Sequence, residues 1–252
     1  MNKDYYKEYY HLERKNWWFA VRSRILADRI ATFLPKNTNN KILNIGVATG
    51  STSEMLANFG HVMSVEYDKD CYEFTKTILK TPLINGSILD LPFEENSQDL
   101  VCAFDVIEHV EDDLKAISEM IRVCKSGAYV VITVPAFMSL WGEHDVVNQH
   151  YRRYSMAELT KLFADKMGNI HYKTYFNSLL FPPIFVARNA MRILPKFLQK
   201  NRDGAGSDHA LIDEESFALK IFEKVFETER KMLNRGIKFA AGVSAMLVWQ
   251  KK

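Results

Sequence analysis

Cysteine, long apolar runs and an excess of charge are all scarce in this chain of 252 residues. Its three cysteines, Cys71, Cys102 and Cys124, lie far apart without a Cys-x-x-Cys pair. This spacing excludes a disulfide framework or zinc knuckle and favours free thiols in a reducing compartment. No stretch approaches the roughly 18 apolar residues of a membrane span, and the first residues lack the apolar core of a secretory signal. We therefore expect a cytoplasmic protein.

Lysine and arginine (33 residues) nearly balance aspartate and glutamate (31), so the net charge is only +2. This balance argues against nucleic acid as a partner. The apolar fraction of 47% and the charged fraction of 25% are those of an ordinary globular chain, which excludes intrinsic disorder. The length suffices for one large α/β domain or two small ones.

Strand-like and helical segments alternate from Lys41 onward, beginning with KILNI, STSEMLANF, HVMSVEY and DKDCYEFTKTILK. This alternation predicts a doubly wound, mostly parallel sheet with helices on both faces. Apolar spacing predicts a further helix over residues 17–34. Gly127 is expected to supply the left-handed turn that ends a helix over residues 111–124. Ser155 and Glu158 form a capping box at the start of another helix.

Residues 178–202 depart from the alternation, because they are apolar and carry five basic but no acidic side chains. A polar linker, a helix to about Asn234 and a final strand follow. The favoured interpretation of 178–202 is a lid or core helix pair with solvated charges. Contact with an anionic membrane surface or a lipid-linked substrate is the less favoured alternative.

A glycine-containing turn, Gly46-Val-Ala48-Thr-Gly50-Ser51, joins the first strand to its helix. Glycines let the backbone approach a ligand, and the following helix start offers free N–H groups, so the turn indicates a nucleotide-like ligand. The dinucleotide fingerprint needs glycine at positions 46, 48 and 51. Ala48 and Ser51 make that assignment a poor fit.

Spaced as G-x-[GA]-x-G, the turn resembles the first motif of the class I S-adenosylmethionine-dependent methyltransferases. Glu66 matches the acidic residue that binds the ribose hydroxyls in that family. The segment INGSILDLPFEENSQDLVCAFDVIEHVEDD is similar to its G-D-x-x-x-L-P-F…FDLV…EHV stretch. Residues 140–159, LWGEHDVVNQHYRRYSMAEL, resemble a subgroup whose lid loop has the form W-x-E-H-D-x-x-x-x-H-x-R-R-Y-S.

The resemblance implies a Rossmann-like, seven-stranded sheet and S-adenosyl-L-methionine as cofactor, with S-adenosyl-L-homocysteine as product. It implies one domain over residues 1–252. Within it, 1–36 would form a helical cover, 41–176 the cofactor-binding core, 177–236 a helical insertion or lid, and 237–252 the final strand. The expected acceptor is a small molecule methylated on a hydroxyl oxygen: a sugar or a quinone-like, aromatic or lipid-linked compound. N- or C-methylation and a cofactor-binding regulatory relative with little catalysis are the alternatives.

The expected cofactor-binding residues are Arg22, Asn44, Gly46, Ala48, Thr49, Gly50, Glu66, Tyr67, Ser87, Ile88, Phe104 and Asp105. Three of them depart from the family pattern. Asn44 replaces an acidic residue, Ala48 replaces the middle glycine and is acceptable at negative φ, and Ser87 replaces an aspartate that contacts the adenine amino group. Arg22 is expected to reach the cofactor carboxylate, and Tyr67 either to lie against the adenine or to pack in the core. Trp17, Trp18 and Phe19 are expected either to cover the cofactor pocket or to pack as a hydrophobic staple on the sheet edge.

Methyl transfer from a sulfonium requires an in-line arrangement and the removal of one proton from a hydroxyl acceptor. His109 is the first candidate base, and His144 and His150 of the lid loop are further catalytic candidates. A purely structural role for His109 is the alternative.

The lid loop also carries charged groups that could hold a divalent metal, but it contains no HxH or HExxH spacing. We therefore assign no metal site from the sequence, and a divalent metal held by the loop is the less favoured alternative. Arg152 and Arg153 are expected to pair with an acidic substrate or with Glu143 and Asp145.

Overall fold

A computed structural model describes residues 3–35, 39–193 and 217–252. In these residues seven strands form one sheet in the order β3-β2-β1-β4-β5-β7-β6. Strand β7 runs antiparallel to β5 and β6, and the other neighbouring strands are parallel. The predicted doubly wound, mostly parallel sheet is therefore confirmed. The strands are β1 (Lys41–Ile45), β2 (His61–Glu66), β3 (Leu83–Asn85), β4 (Gln98–Phe104), β5 (Cys124–Pro135), β6 (Gly168–Phe176) and β7 (Ser244–Lys251).

Nine helices are described around this sheet, and two short 3-10 turns follow β4 and β5. The helices are α1 (Lys3–Lys15), α2 (Trp17–Ile30), α3 (Ser51–Leu56), α4 (Lys69–Thr75), α5 (Asp113–Val123), α6 (Glu143–Val147), α7 (Met156–Lys161), α8 (Phe181–Ile193) and α9 (Phe217–Asn234). The 3-10 turns are Ile107–His109 and Met138–Leu140.

The core lies on both faces of the sheet, because successive side chains of a strand point to opposite faces. On one face α2 and α9 pack over alternate residues of the central strands, with Leu26 and Phe226 fully buried. On the other face α5 and α7 pack over the intervening residues, with Ile117 and Leu159 fully buried.

Local sequence patterns predicted where most of the helices and strands begin. They predicted the ends of two helices less accurately. Ser155 accepts a hydrogen bond from Glu158 N–H, and Glu158 reaches back to Ser155, so the predicted capping box is confirmed. Helix α2 ends at Ile30, before the predicted residue 34, although turns continue the chain. The prediction for Gly127 is wrong in part. Its φ of +79° is left-handed, but α5 has already ended at Val123, and Gly127 lies within β5.

The basic segment 178–202 is described only as far as Ile193, where α8 ends. Arg188 of α8 donates a hydrogen bond to Leu140 O at 2.5 Å, so the helix contacts the turn after β5. Lys196, Lys200 and Arg202 lie outside the described residues. Among the described helices, none is both long and apolar enough to cross a membrane. The three cysteines are free and buried.

Candidate active site

The glycine turn after β1 has the backbone shape that its sequence requires. Gly46 and Gly50 adopt left-handed φ values of +67° and +91°, which side chains disfavour. A Cβ on Gly46 would lie 2.5 Å from Cγ2 of Val106, which follows β4. The turn therefore passes so close to the end of β4 that only glycine fits at position 46.

Ala48, in the middle of the turn, does not meet the condition of a negative φ under which alanine is easily accepted there. Its φ is +47°, a left-handed value that costs a residue with a Cβ about 1–2 kcal/mol. Two hydrogen bonds hold it there. Its N–H donates to Glu66 Oε2 at 2.9 Å, and its carbonyl accepts from Thr75 Oγ1 at 2.7 Å. The strain is thus offset by contacts that tie the turn to β2 and α4.

Glu66 ends β2 with its carboxylate facing the turn. Its second oxygen accepts the N–H of Asp68 at 3.0 Å, and the residue is only 8% exposed. Burial raises the pKa of Glu66, and the backbone hydrogen bonds oppose that rise. Tyr67 is 76% exposed, so it does not pack in the core and is free to meet a ligand.

Arg22 and Asp105 form an ion pair at the end of β4, beside the turn. Arg22 Nη2 lies 2.5 Å from Asp105 Oδ2, and Thr133 of β5 bridges the pair by accepting from Arg22 and donating to Asp105. Asp105 has a φ of +56°, a strained conformation of the kind that clusters at functional sites. The sequence places both residues at the site but does not reveal that they are partners.

Asn44 is buried in β1, and its amide donates to the hydroxyls of Thr52 and Ser53 in α3. These two hydrogen bonds connect β1 to the first turn of α3. Thr49 is fully buried in the turn, and Ser87 accepts the N–H of Leu89 at 3.1 Å. Two further predicted residues are buried apolar positions of this region, namely Ile88 and Phe104.

Helix α1 lies across the glycine turn, and sequence reasoning missed its contacts. Glu13 accepts a hydrogen bond from the Thr49 hydroxyl, and Arg14 donates to Thr49 O at 3.1 Å. Tyr6 donates to Asp68 Oδ1 at 2.9 Å. The signal was present as a polar, tyrosine-rich helix, but only the fold shows which residues it meets. Of the predicted aromatic cover, Trp17 packs against two phenylalanines of α9, Phe222 and Phe226.

A second group of polar side chains lies just beyond β4. Two of its members belong to the 3-10 turn Ile107–His109, and the third belongs to the lid loop. Glu108, His109 and His150 each offer a ligand atom, and these atoms lie within 4.8 Å of one another. We call these three residues the Glu-His-His cluster. The Tyr151 N–H donates to Glu108 O at 2.7 Å, which fixes the lid loop beside the turn.

The electrostatic environment of the cluster is unusual. Burial, and then the charge of Asp105, raise the pKa of Glu108 well above its ordinary value. Although His109 is exposed as a residue, desolvation of its imidazole and the neighbouring His150 lower its pKa to about 4. His109 is therefore a neutral imidazole at neutral pH.

Asp145 orients His150 from the far side. It accepts the N–H of Gly142, His150 Nδ1 at 2.8 Å and Arg153 Nε at 2.7 Å. Burial alone raises the pKa of Asp145, but the hydrogen bonds from His150 and Arg153 outweigh it and hold this pKa well below its ordinary value. The predicted pairing of Arg153 with Asp145 is thus confirmed.

The other lid-loop residues mainly hold the loop in place. Arg152 pairs with Asp113 at 2.8 Å, so its predicted pairing with Glu143 or Asp145 is wrong. Tyr154 donates to the same carboxylate at 2.9 Å. The ring of His144 lies 5.9 Å from that of His150 and beside the Asn148 amide, outside the cluster.

These residues fit S-adenosylmethionine. Two left-handed glycines make a turn that a ligand can approach closely, and a buried carboxylate ends the adjacent strand. Both features lie at the carboxyl ends of parallel strands, where ligands of open α/β sheets bind. The methyltransferase domain family matches residues 43–132. This match to a methyltransferase domain supports the resemblance of the glycine turn and Glu66 to the class I S-adenosylmethionine-dependent methyltransferases.

Proteins of similar sequence are named as methyltransferases. A probable S-adenosylmethionine-dependent methyltransferase of Mycobacterium tuberculosis is 26% identical over 158 residues, 61% of this chain and 56% of the relative. A demethylmenaquinone methyltransferase of Staphylococcus aureus is 29% identical over 49% of this chain and 54% of its own. The matches thus span little more than half the length of these relatives.

Among solved structures, a chain from the complex of the Haloferax volcanii Trm112 methyltransferase activator with a methyltransferase superimposes with a TM-score of 0.60. It is 14% identical, and the superposition covers 98% of this chain and 94% of the other. At this identity the likeness shows a shared fold.

Proposed function

We propose that the protein transfers a methyl group from S-adenosylmethionine to a hydroxyl oxygen of a small-molecule acceptor. The observation that carries this proposal is the Glu-His-His cluster beside the end of β4. Hydroxyl methylation requires a group that takes one proton, and a neutral imidazole suits that task.

S-adenosylmethionine, when bound, supplies an electrophilic methyl group, so the new oxygen–carbon bond forms as the carbon–sulfur bond breaks and leaves its electron pair on sulfur. The protein would contribute position and proton transfer. Glu66 would hold the ribose, and the glycine turn would let the cofactor lie close to the sheet. His109 or His150 would accept the acceptor's proton, with His150 oriented by Asp145.

The side chains around the cluster favour an acceptor with an apolar body. Val146, Val147 and Tyr151 of the lid loop, and Met138 in the turn that precedes it, are each more than half exposed. Such side chains would contact an aromatic, quinone-like or lipid-linked acceptor better than a bare sugar. The demethylmenaquinone methyltransferase similarity agrees with this acceptor class.

A cofactor-binding relative with little catalysis is the second candidate. It is favoured by Asn44, whose amide is already engaged by α3 and which lacks the charge of the usual acidic residue. Weaker orientation of the methionine part of the cofactor would lower the turnover rate strongly, whereas it would weaken binding of the adenosine part less.

The test is methyl transfer from isotope-labelled S-adenosylmethionine to a panel of catechols, quinols, phenols and sugars, with the methylated atom assigned by NMR. We expect O-methylated products from apolar acceptors. His109→Ala should lower kcat at least about 100-fold while cofactor affinity changes little, since general bases contribute roughly 10²–10⁴-fold. Methylation confined to nitrogen or carbon would contradict the proposal, and tight cofactor binding without any product would favour the second candidate.

A further inference from the structure

Glu108 carries the most unusual polar side chain of the site, because its carboxylate is buried without hydrogen-bond partners. The residue is 0% exposed, and within residues 3–35, 39–193 and 217–252 neither Oε1 nor Oε2 has a hydrogen-bond partner. Arg22 and Arg153 act on it through space, but neither donates a hydrogen bond to it. A buried polar group in this condition is costly unless a ligand or ion satisfies it.

The groups nearest to this carboxylate are metal-ligating side chains. A ring nitrogen of His109, a ring nitrogen of His150 and a carboxylate oxygen of Glu108 all lie within 4.8 Å of one another. The centroids of the two imidazole rings are 4.5 Å apart, and the rings are nearly perpendicular. Ligands of tetrahedral zinc are about 3.3 Å apart for bonds of roughly 2.0 Å. Side-chain rotations that shorten these separations by about 1.5 Å would bring the three groups onto one ion.

Both histidines are also oriented as metal ligands usually are. A ligating histidine donates its other ring N–H to a carboxylate or a backbone carbonyl. His150 Nδ1 lies 2.8 Å from Asp145 Oδ1, and the His109 ring has a hydrogen bond to the backbone of Asn148. Each imidazole therefore keeps one nitrogen for the cluster.

We propose that Glu108, His109 and His150 bind a divalent transition-metal ion of the Zn²⁺ type. Two imidazoles and one carboxylate form the three-ligand set of open catalytic zinc sites, which leaves a position for substrate oxygen. Mg²⁺ is a poor occupant because it prefers oxygen ligands. His109 is exposed, so an ion can enter from solvent.

The role of this ion, but not its binding, rests on the proposed function. A hydroxyl bound at the open position would lose its proton to solvent more readily, because the cation stabilises the resulting oxyanion. With the ion bound, the two histidines would act as its ligands and assist proton removal through the ion, whereas in the metal-free chain His109 or His150 would accept the proton directly.

The test uses the full chain, freed of metal by a chelator and titrated with Co²⁺ without cofactor or acceptor. We expect one Co²⁺ per chain with a visible absorption band, displaced by Zn²⁺ and not by excess Mg²⁺. Glu108→Gln and His150→Asn should each weaken Co²⁺ binding at least about 100-fold. Asp145→Asn should weaken it about 10- to 100-fold, the effect typical of a supporting residue.

His61→Gln is the matched control, since His61 is exposed at the start of β2 and outside the cluster. It should bind Co²⁺ as the wild type does. The metal-free Glu108→Gln chain should melt at or above the wild-type temperature, because the change removes a buried ionisable group for which the described residues offer no hydrogen-bond partner. Zn²⁺ should raise the melting temperature of the wild type and not that of this variant.

Absence of stoichiometric Co²⁺ binding to the wild type, or equal binding by Glu108→Gln and His150→Asn, would overturn the proposal. A chain that methylates hydroxyls without binding Co²⁺ would overturn the metal site alone. A chain that binds Co²⁺ at this cluster but methylates no hydroxyl would overturn the proposed function and leave the metal site standing.

Discussion

Glu66→Ala is expected to weaken binding of S-adenosylmethionine about 100-fold or more. The carboxylate is 8% exposed at the end of β2, where two ribose hydroxyls would donate to it. A hydrogen bond to a charged group contributes about 1.5–3 kcal/mol, so losing two removes at least about 3 kcal/mol. Because a tenfold change in affinity corresponds to about 1.4 kcal/mol, the dissociation constant should rise by two decades.

The same change would disturb the glycine turn, since Glu66 also accepts the N–H groups of Ala48 and Asp68. Calorimetry with S-adenosylhomocysteine and with an analogue that lacks both ribose hydroxyls separates the two effects. The analogue should bind the wild type and the variant about equally if the lost affinity comes from the hydroxyls. Glu73→Ala, an exposed glutamate on α4, is the matched control.

An unchanged dissociation constant for S-adenosylhomocysteine in a folded Glu66→Ala protein would refute the reasoning. Equal loss of affinity for both ligands would assign the effect to the turn instead of to the ribose contact. Glu66→Gln, which keeps the size and one oxygen of the side chain, should fall between the wild type and Glu66→Ala.

Three further changes should lower the free energy of unfolding, measured in urea. Gly46→Ala should cost about 2–4 kcal/mol, because the φ of Gly46 is +67° and the added Cβ would lie 2.5 Å from Val106 Cγ2. Val106→Ala in the same chain should recover part of this loss. An unchanged free energy of unfolding in Gly46→Ala would contradict the close approach. Asp145→Ala should cost about 3–5 kcal/mol by leaving the buried Arg153 without its carboxylate, and Arg153→Met in the same chain should restore much of it if that cause is correct. Phe226→Ala should cost about 3–5 kcal/mol, because this fully buried ring fills the contact of α9 with the sheet, and a cost below about 1 kcal/mol would count against that packing.

Elements specified by neighbouring residues were predictable. The alternation from Lys41 onward, the glycine turn and the Ser155–Glu158 capping box each depend on residues a few positions apart, and the fold contains all three. Errors arose where distant contacts decide the outcome. Ala48 takes a left-handed φ because Glu66 and Thr75 hold its peptide groups, which no local rule could foresee.

The candidate site divides in the same way. Local pattern predicts Gly46, Glu66 and His109 as site residues, because each belongs to a short motif at a strand end. The pairing of Arg22 with Asp105 joins residues 83 positions apart, and the contacts of α1 with the turn join Arg14 to Thr49, 35 positions along the chain. Those partners depend on how helices cross the sheet, which short motifs do not encode.

The sequence by itself determined the class of fold and the resemblance to a methyltransferase family, and it predicts the place where the cofactor binds, because these depend on periodicity and on motifs at strand ends. Only the tertiary structure brought His150 of the lid loop against Glu108 and His109, some 41 residues earlier, and left the Glu108 carboxylate buried without a hydrogen-bond partner in the part of the chain that the structure describes. Spacing along the chain showed no metal-ligand pattern there. The ligand set arises from two loops that meet above the end of β4, and such a meeting is a property of packing in three dimensions.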